Sequence, residues 1–496
     1  MNLKKLKWLK FLVAFLVAIA GVMVCNQELD NDSWYVLAEG REIVENGLYY
    51  EDQLSMHEGL EVTVQNYGFA VIYYLLYSAF GGVGIYLAML CLNGLLIFLI
   101  YKICMLLSGK NENLSLFLAV ATDLLLAYGF VVTRAQMVDY VAIMGVIYLL
   151  ELYARKGKEK LLWWLPVVSL LMINLHASTW LMLVVIMVVY IIDGIKQPRF
   201  HYKGYKVKPL LLALLGVILA GFLNPYGIKM MTFILTSYGS TDASKYIKEL
   251  NSFSFGDVFD ILLYFVITLT MILYIFGKKR NIRLRYLILT FGFLALGLNT
   301  VKGMSELILV LLFPMAEVYK DVRIKKKLTF GIKMAILGWT GMLSMAITTT
   351  CAIFAIPNLT REGPNEIMIT AMNVLDENLG GVDKKTLKVY ADYNEGGFVE
   401  YRGYRAYIDP RMEVFLESNN QKEDIFLEYY DLQNGKMNKQ EFLDKYDFDY
   451  LIVRGYDALY GVVEEGYEII YEQDDGMSSE VRIYKKLKNN ENGVKI

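Results

Sequence analysis

Two aspartates, Asp30 and Asp32, stand within an acidic stretch that follows the first apolar run of the chain. From Asn26 to Glu61 there are ten acids and one base, Arg41. A carboxylate of this kind can take a proton from an acceptor hydroxyl. Paired carboxylates can instead hold a divalent ion such as Mg or Mn through oxygen ligands. Two cations near span ends, Arg134 in VVTRAQM and Lys302 in NTVKGMSE, could hold a phosphate leaving group as its charge develops. His176 in INLHAST, with His57, Glu58 and Glu306, completes the polar residues expected on the same side. Ionisable groups at membrane depth are costly and tend to mark sites.

Each of these residues has a structural alternative. Asp32 can be the N-cap of the helix that Trp34, Leu37 and Ala38 announce. Arg134 can be an interfacial snorkel, and His176 a satisfied helix-end histidine. Lys302 and Glu306 have i,i+4 spacing. Asn224-Pro225-Tyr226-Gly227 reads as a turn.

The elements that must position these residues are mostly membrane helices. The 496 residues are 56% hydrophobic and 20% charged, with mean hydropathy +0.38. Eleven spans are expected, near 8–25, 84–107, 114–132, 138–154, 161–176, 179–194, 210–224, 257–277, 286–300, 304–319 and 332–356. The N-terminal run reads as an uncleaved anchor. Residues 66–80, short and rich in tyrosine, read as a juxtamembrane helix. The basic clusters, from Lys4 through Arg155 and Arg280 to Lys327, all then fall on the cytoplasmic side. The N-terminus is inside, and the acidic loop (26–80) and the tail lie outside.

Beyond Pro357 the apolar runs shorten and charge rises. The expected domains are a transmembrane domain over 1–356 and an extracytoplasmic α/β domain over 357–496. In the tail, MITAMNVLDEN, EDIFLEYYDL and KQEFLDKY read as helices. TLKVYADY, GGFVEYRG, YRAYIDPRMEVF, DYLIVRG, YEIIYEQ and VRIYKKL read as strands. IDPR (Ile408–Arg411) reads as a strand-end turn held by an Asp–Arg pair. A net charge of −2 gives no field for nucleic acid. Four scattered cysteines, with no Cys/His cluster, argue against a disulfide framework or zinc site.

These segments together resemble the GT-C superfamily of integral-membrane glycosyltransferases, and within it a bacterial family with a C-terminal α/β domain. The matching stretches are DNDSWYVLAEGREIVENG, VTRAQMVDYVAIMGVIYLLELY, LLMINLHASTWLM, FLNPYGIKMM, YADYNEGGFVEYRGYRAYIDPRMEVF and FDYLIVRG. The resemblance implies a GT-C-like fold and an inverting transfer of a sugar from a polyprenyl phosphate. The acceptor would be a cell-envelope glycan, lipid or protein, on the outer face of a bacterial inner membrane. It places the role of base or metal ligand on Asp30 or Asp32. Thr133-Arg134-Ala135-Gln136 departs from the Arg-Pro-Gln of many relatives. Rival readings are a polymerase or ligase using lipid-linked oligosaccharide, a transporter or flippase, and a non-catalytic assembly scaffold. Transporters tend to show repeats and midplane polar breaks; here the polar groups gather at one face.

Overall fold

A computed structural model describes residues 3–195, 204–237, 245–246, 258–276, 283–320, 329–461, 466–473 and 480–487. Lys196, Lys278, Lys279, Arg280 and Lys325–Lys327 of the expected basic clusters lie outside these residues. The chain forms two compact units. The first holds Met1–Glu28, Tyr86–Ile234 and Asp242–Leu359; the second holds Leu29–Ile85, Leu235–Thr241 and Thr360–Ile496. The sequence division groups 26–80 with the spans, whereas the contacts group 29–85 with the tail.

The first unit is helical. Its main helices are α1 (Leu3–Cys25), α4 (Glu112–Ala127), α5 (Gln136–Lys156), α6 (Trp164–Leu175), α7 (Trp180–Gly194), α8 (Lys208–Gly221), α9 (Val258–Phe276), α10 (Leu284–Asn299), α11 (Val301–Leu311) and α12 (Phe330–Thr360). Of the second unit's helices, α2 (Ser33–Asn46) precedes α3 (Tyr67–Leu107), which runs into the first unit. Local signals set several ends. Asn111 accepts the Leu114 amide to start α4. Gly157, at φ 63°, closes α5 by donating its N–H to Tyr153 O. Gly81 breaks α3 with φ 62° and ψ −162°, between the expected juxtamembrane helix and the expected span.

Among the described residues, five helices are long and apolar enough to cross a membrane: 6–25, 67–107, 136–156, 177–194 and 330–360. Three shorter apolar helices cover Lys208–Gly221, Ile261–Tyr274 and Leu284–Asn299. The protein is therefore a multi-pass helical membrane protein. The stretch at 304–319 differs from a plain span. It folds as the 11-residue α11 and a one-turn helix, Met315–Val318, with Gly303 through Leu311 all buried. At 1.5 Å per residue α11 is about 16 Å long, half of a hydrocarbon core.

The second unit is built on a five-stranded mixed sheet of order β2-β1-β3-β5-β4. Its strands are β1 (Lys388–Ala391), β2 (Arg405–Ala406), β3 (Tyr450–Arg454), β4 (Tyr467–Gln473) and β5 (Val481–Lys486). β1 runs parallel to β2 and β3, while β5 runs antiparallel to β3 and β4. The expected helices form as α13 (Glu366–Asn378), α15 (Ile425–Gln433) and α16 (Lys439–Tyr446). Asn365, Asp424 and Asn438 cap them by accepting first-turn amides.

Two strand expectations are overturned. GGFVEY is a helix, α14 (Gly396–Tyr401), not a strand. Asp392 nucleates it by accepting the amides of Asn394 and Glu395. Gly396 lies so close to Ile408 O that a Cβ would sit 1.8 Å from it, and Gly397 likewise meets Tyr35. The pair of glycines reads as a turn in sequence but serves close packing. YRAYIDPRMEVF keeps only two strand residues and then turns into a 3-10 helix at Met412–Phe415, after Pro410.

The acidic segment is an integral part of this unit. Trp34 of α2 packs edge-on against Phe398 at 5.0 Å, and Arg41 donates to the carbonyls of Tyr401 and Glu400. The Met56 amide donates to Ala406 O at 2.9 Å, and Ser55 forms a parallel bridge with Ala406. The loop thus adds one residue's pairing to the β2 edge.

Candidate active site

In the first unit, three chain ends bring a polar cluster together. The N-terminus of α5 supplies Gln136, Asp139 and Tyr140. The end of α6 supplies His176, where the chain leaves the helix at φ −160°, and the short turn Ala177–Thr179 supplies Ser178. The first turns of α11 supply Lys302, Ser305 and Glu306. Thr300 starts that helix by accepting the Gly303 amide at 3.0 Å.

His176 is the centre. It is 8% exposed, its Nδ1 lies 2.5 Å from Asp139 Oδ2, and its Nε2 lies 3.0 Å from Ser178 Oγ. A carboxylate only accepts, so Nδ1 carries the proton in this pair. In the neutral ring Nε2 then accepts from the Ser178 hydroxyl. Asp139 fixes the tautomer and would stabilise the imidazolium if Nε2 took up a proton. The other Asp139 oxygen, Oδ1, is buried and has no hydrogen-bond partner among the described residues. An orphaned acceptor beside a histidine is a place where a substrate hydroxyl or amide can be received.

The neighbouring groups form a second chain. Gln136 Nε2 donates to Tyr140 Oη and reaches Ser305 Oγ at 3.4 Å. Ser305 Oγ lies 3.0 Å from Glu306 Oε2 and 2.8 Å from Lys302 O. Lys302 and Asp139 both act electrostatically on Glu306. Asp139 of α5, His176 at the end of α6, and Lys302 and Glu306 of α11 are thus brought into one neighbourhood. Arg134 lies two residues before α5, and its carbonyl accepts the Met137 amide.

Asp139, Ser178, Tyr140 and Ser305 were not singled out in the sequence. Asp139 did carry a signal, being an acid inside the apolar run MVDYVAIMG. Ser178 and Ser305 carry none, since hydroxyls are common in membrane helices.

The first unit has a second buried polar cluster, at the opposite ends of α5 and α7. Arg285 is fully buried, with Nε 2.6 Å from Glu151 and Nη1 2.7 Å from Asp193. Arg155 Nε meets Glu151 at 2.7 Å, and Arg155 also pairs with Glu317. These pairs join α5, α7, α10 and the helix at 315–318.

In the second unit, Asp30 and Asp32 open α2. Asp30 Oδ1 accepts the Asp32 amide at 3.0 Å, and Asp30 O accepts the Ser33 amide. Asp32 occupies the N-cap position but makes no side-chain capping bond, so the turn-forming carboxylate is that of Asp30. His57 is packed rather than open. Its Nε2 lies 2.8 Å from Tyr407 O, and its ring stands edge-on to Tyr407, Phe415 and Tyr446. Burial pushes its pKa down. Glu58 accepts Lys422 Nζ on its carbonyl at 2.6 Å.

The IDPR turn forms with its Asp–Arg pair and gathers more acids. Arg411 is buried and meets Asp409 at 2.6 Å and Asp52 at 2.8 Å, with Glu39 and Glu400 each 3.8 Å away. Burial alone would raise Asp52, but Arg411 and the Ser55 hydroxyl and amide hold it below the usual carboxylate range. Glu39 lacks such close partners, and burial pushes it up to about 8. Glu400 is raised well above the ordinary value by burial and by the Asp409 charge.

No three His, Cys, Asp or Glu side chains converge to hold a metal ion among the described residues. Asp30 and Asp32 supply two carboxylates, and one oxygen of Asp30 accepts the Asp32 amide. Two carboxylates fit Mg²⁺ only with water and substrate phosphate completing its shell.

No protein-family model matches the chain, and no curated protein matches it. Solved structures do. The archaeal oligosaccharyltransferase AglB from Archaeoglobus fulgidus, in complex with an inhibitory peptide and a dolichol-phosphate, aligns with TM-score 0.58 at 11% identity. The alignment covers 97% of this chain and 74% of that one. A second Archaeoglobus fulgidus oligosaccharyltransferase structure, a complex with Zn and sulfate, aligns with TM-score 0.50 at 11% identity, covering 89% and 68%. The chain therefore shares the fold of these proteins.

Proposed function

We propose that this protein is a GT-C-type glycosyltransferase that moves a sugar from a polyprenyl-phosphate-linked donor to a cell-envelope acceptor. The carrying observation is the buried Asp139–His176–Ser178 cluster, with Lys302 and Glu306 beside it, in a fold shared with oligosaccharyltransferases. A buried ionisable cluster of this kind is costly in a membrane protein and is retained for use. The membrane orientation, with eleven spans in which α11 and the Met315–Val318 turn together count as one, the N-terminus inside and the 357–496 domain outside a bacterial inner membrane, belongs to the same reading. It rests on the distribution of lysine and arginine.

In this reaction the acceptor oxygen attacks the anomeric carbon, the bond from that carbon to the phosphate oxygen breaks, and the lipid phosphate leaves. Asp32 takes the acceptor proton, while Asp30 holds the Asp32 amide and so presents that residue. Lys302 and Arg134 neutralise the phosphate as charge builds on it. His176, in the imidazolium form that Asp139 would stabilise, donates its Nε2–H to the departing phosphate. Single displacement at the anomeric carbon inverts its configuration.

A lipid-linked oligosaccharide is the second reading for the donor, because both structural neighbours are oligosaccharyltransferases. The test is complementation of a strain lacking the gene, followed by mass spectrometry of its envelope glycans and lipid-linked intermediates. Asp32→Asn is expected to cut the product about 10²- to 10⁴-fold, the range of a lost general base. Lipid-linked donor should accumulate. Asp30→Ala should act mainly through stability. Unchanged glycans in a strain producing membrane-inserted Asp32→Asn protein would refute the assignment.

A further inference from the structure

Within the first unit, α1, α4 and α12 border a groove of about 500 Å³. At one end stand Lys10, Asn113 and Lys333, near the N-terminal ends of their stretches of the groove. Lys10 Nζ donates to Asn113 Oδ1 at 2.8 Å. Further along, the lining is apolar and includes Val13, Phe117, Leu124 and Ile336. Phe117 is 68% exposed and Ile336 50%. None of the lining residues is acidic. The nearby Glu112 is paired with Lys7 at 2.5 Å, which leaves the Lys10 and Lys333 charges uncompensated by a carboxylate of the groove.

We infer that this groove binds one anionic phospholipid of the bilayer, its phosphate between Lys10 and Lys333 and an acyl chain along α4. Length supports this occupant. From Asn113 to Leu124 the α4 wall runs eleven residues, about 16 Å. Half of a hydrocarbon core is about 15 Å, so the groove is as deep as one leaflet. A polyprenyl chain is longer than a leaflet and would not be housed by it. Charge supports it too, since basic residues at one end of a helix cleft attract anionic head groups. The site is independent of the proposed transfer reaction and lies apart from the His176 cluster in sequence and in lining.

The experiment is a lipid titration of the purified full-length protein followed by native mass spectrometry. The probes are phosphatidylglycerol and phosphatidylcholine of matched chains, with a polyprenyl phosphate as competitor. Phosphatidylglycerol should bind more tightly than phosphatidylcholine. The double variant Lys10→Gln/Lys333→Gln should weaken it roughly 30-fold, from two lysines near the membrane surface. Ala121→Trp, which fills the groove without changing charge, should displace both phospholipids. Lys102→Gln, on α3 and outside the groove, should change nothing. Equal binding of the two phospholipids would overturn the inference. So would an effect of Lys102→Gln as large as that of the double variant, or displacement of phosphatidylglycerol by sub-stoichiometric polyprenyl phosphate.

Discussion

Arg411 gives the sharpest energetic prediction. Its guanidinium is fully enclosed in the second unit, between Asp409 of its own turn and Asp52 of the acidic segment. Asp409 receives three donors, the Arg411 amide at 2.7 Å, Nε at 2.9 Å and Nη2 at 2.6 Å. Asp52 receives Nη1 at 2.8 Å and the Ser55 amide at 2.9 Å. An Arg411→Met substitution keeps much of the volume but removes the base that these acids contact among the described residues. At an effective dielectric constant near 20, a unit pair at 2.8 Å is worth about 6 kcal/mol of attraction before desolvation. Burial takes back much of that, and breaking one side of a buried pair costs about 3–5 kcal/mol. The loss should be largest at neutral pH and above, where Asp52 and Asp409 would be charged without a partner. It should shrink toward pH 4, as the variant's carboxyls take up protons.

The assay is the denaturant dependence of proteolysis within residues 360–496, in detergent-purified protein, at pH 5 and pH 8. Arg402→Ala, which removes a partly exposed pair with Asp376, serves as comparison and should cost no more than about 1 kcal/mol. If Arg411→Met costs under 1 kcal/mol, or the same at both pH values, the cluster is not the paired buried charge described above.

Two further outcomes follow from the same unit and its border. Glu39 has a folded pKa of about 8 against an ordinary 4.5, so the folded state binds its proton more tightly than the unfolded chain. Stability from this group is complete below about 4.5 and is lost as pH rises toward 8. Glu39→Gln should therefore flatten the decline of melting temperature between pH 5 and 8.5, with a gain at the upper end of at most about 5 kcal/mol; parallel curves for the two proteins would contradict it. Gly81 holds φ 62° at the break in α3 with nothing within 4 Å of a Cβ, so only backbone strain resists substitution. Gly81→Ala should cost about 1–2 kcal/mol or straighten the helix, read by melting temperature and by spin-label distances across residue 81.

Much of the architecture was legible because membrane helices and caps are written locally. Apolar runs, Asn111, Gly157 and Asn365 mark helix ends by short-range hydrogen bonds. The IDPR turn was legible for the same reason, since Asp409 and Arg411 are two residues apart. What escaped was set by partners far along the chain. GGFVEY reads as a strand by composition, yet Gly396 and Gly397 are there to let the chain approach Ile408 O and Tyr35. Asp52 looks like one more acid of a solvated loop, and only its ion pair with a residue 359 positions later makes it a buried counter-ion.

The acidic stretch shows how charge is divided among partners. In sequence its ten acids suggest a solvated or catalytic loop, but their work is divided. Glu39 and Asp52 are buried around Arg411, Glu42 pairs with Lys385, and Asp30 shapes the turn into α2. The same holds for the positive residues used to orient the spans. Arg155 and Arg285 are consumed by Glu151, Asp193 and Glu317 inside the helical unit. An arginine held this way marks a packed helix end rather than a free loop charge, whereas Lys156, Lys158 and Lys160 are exposed. The chemistry follows the same logic. His176 was visible as a lone polar residue, but the carboxylate that orients it was not. It is Asp139, from a different helix, 37 positions away.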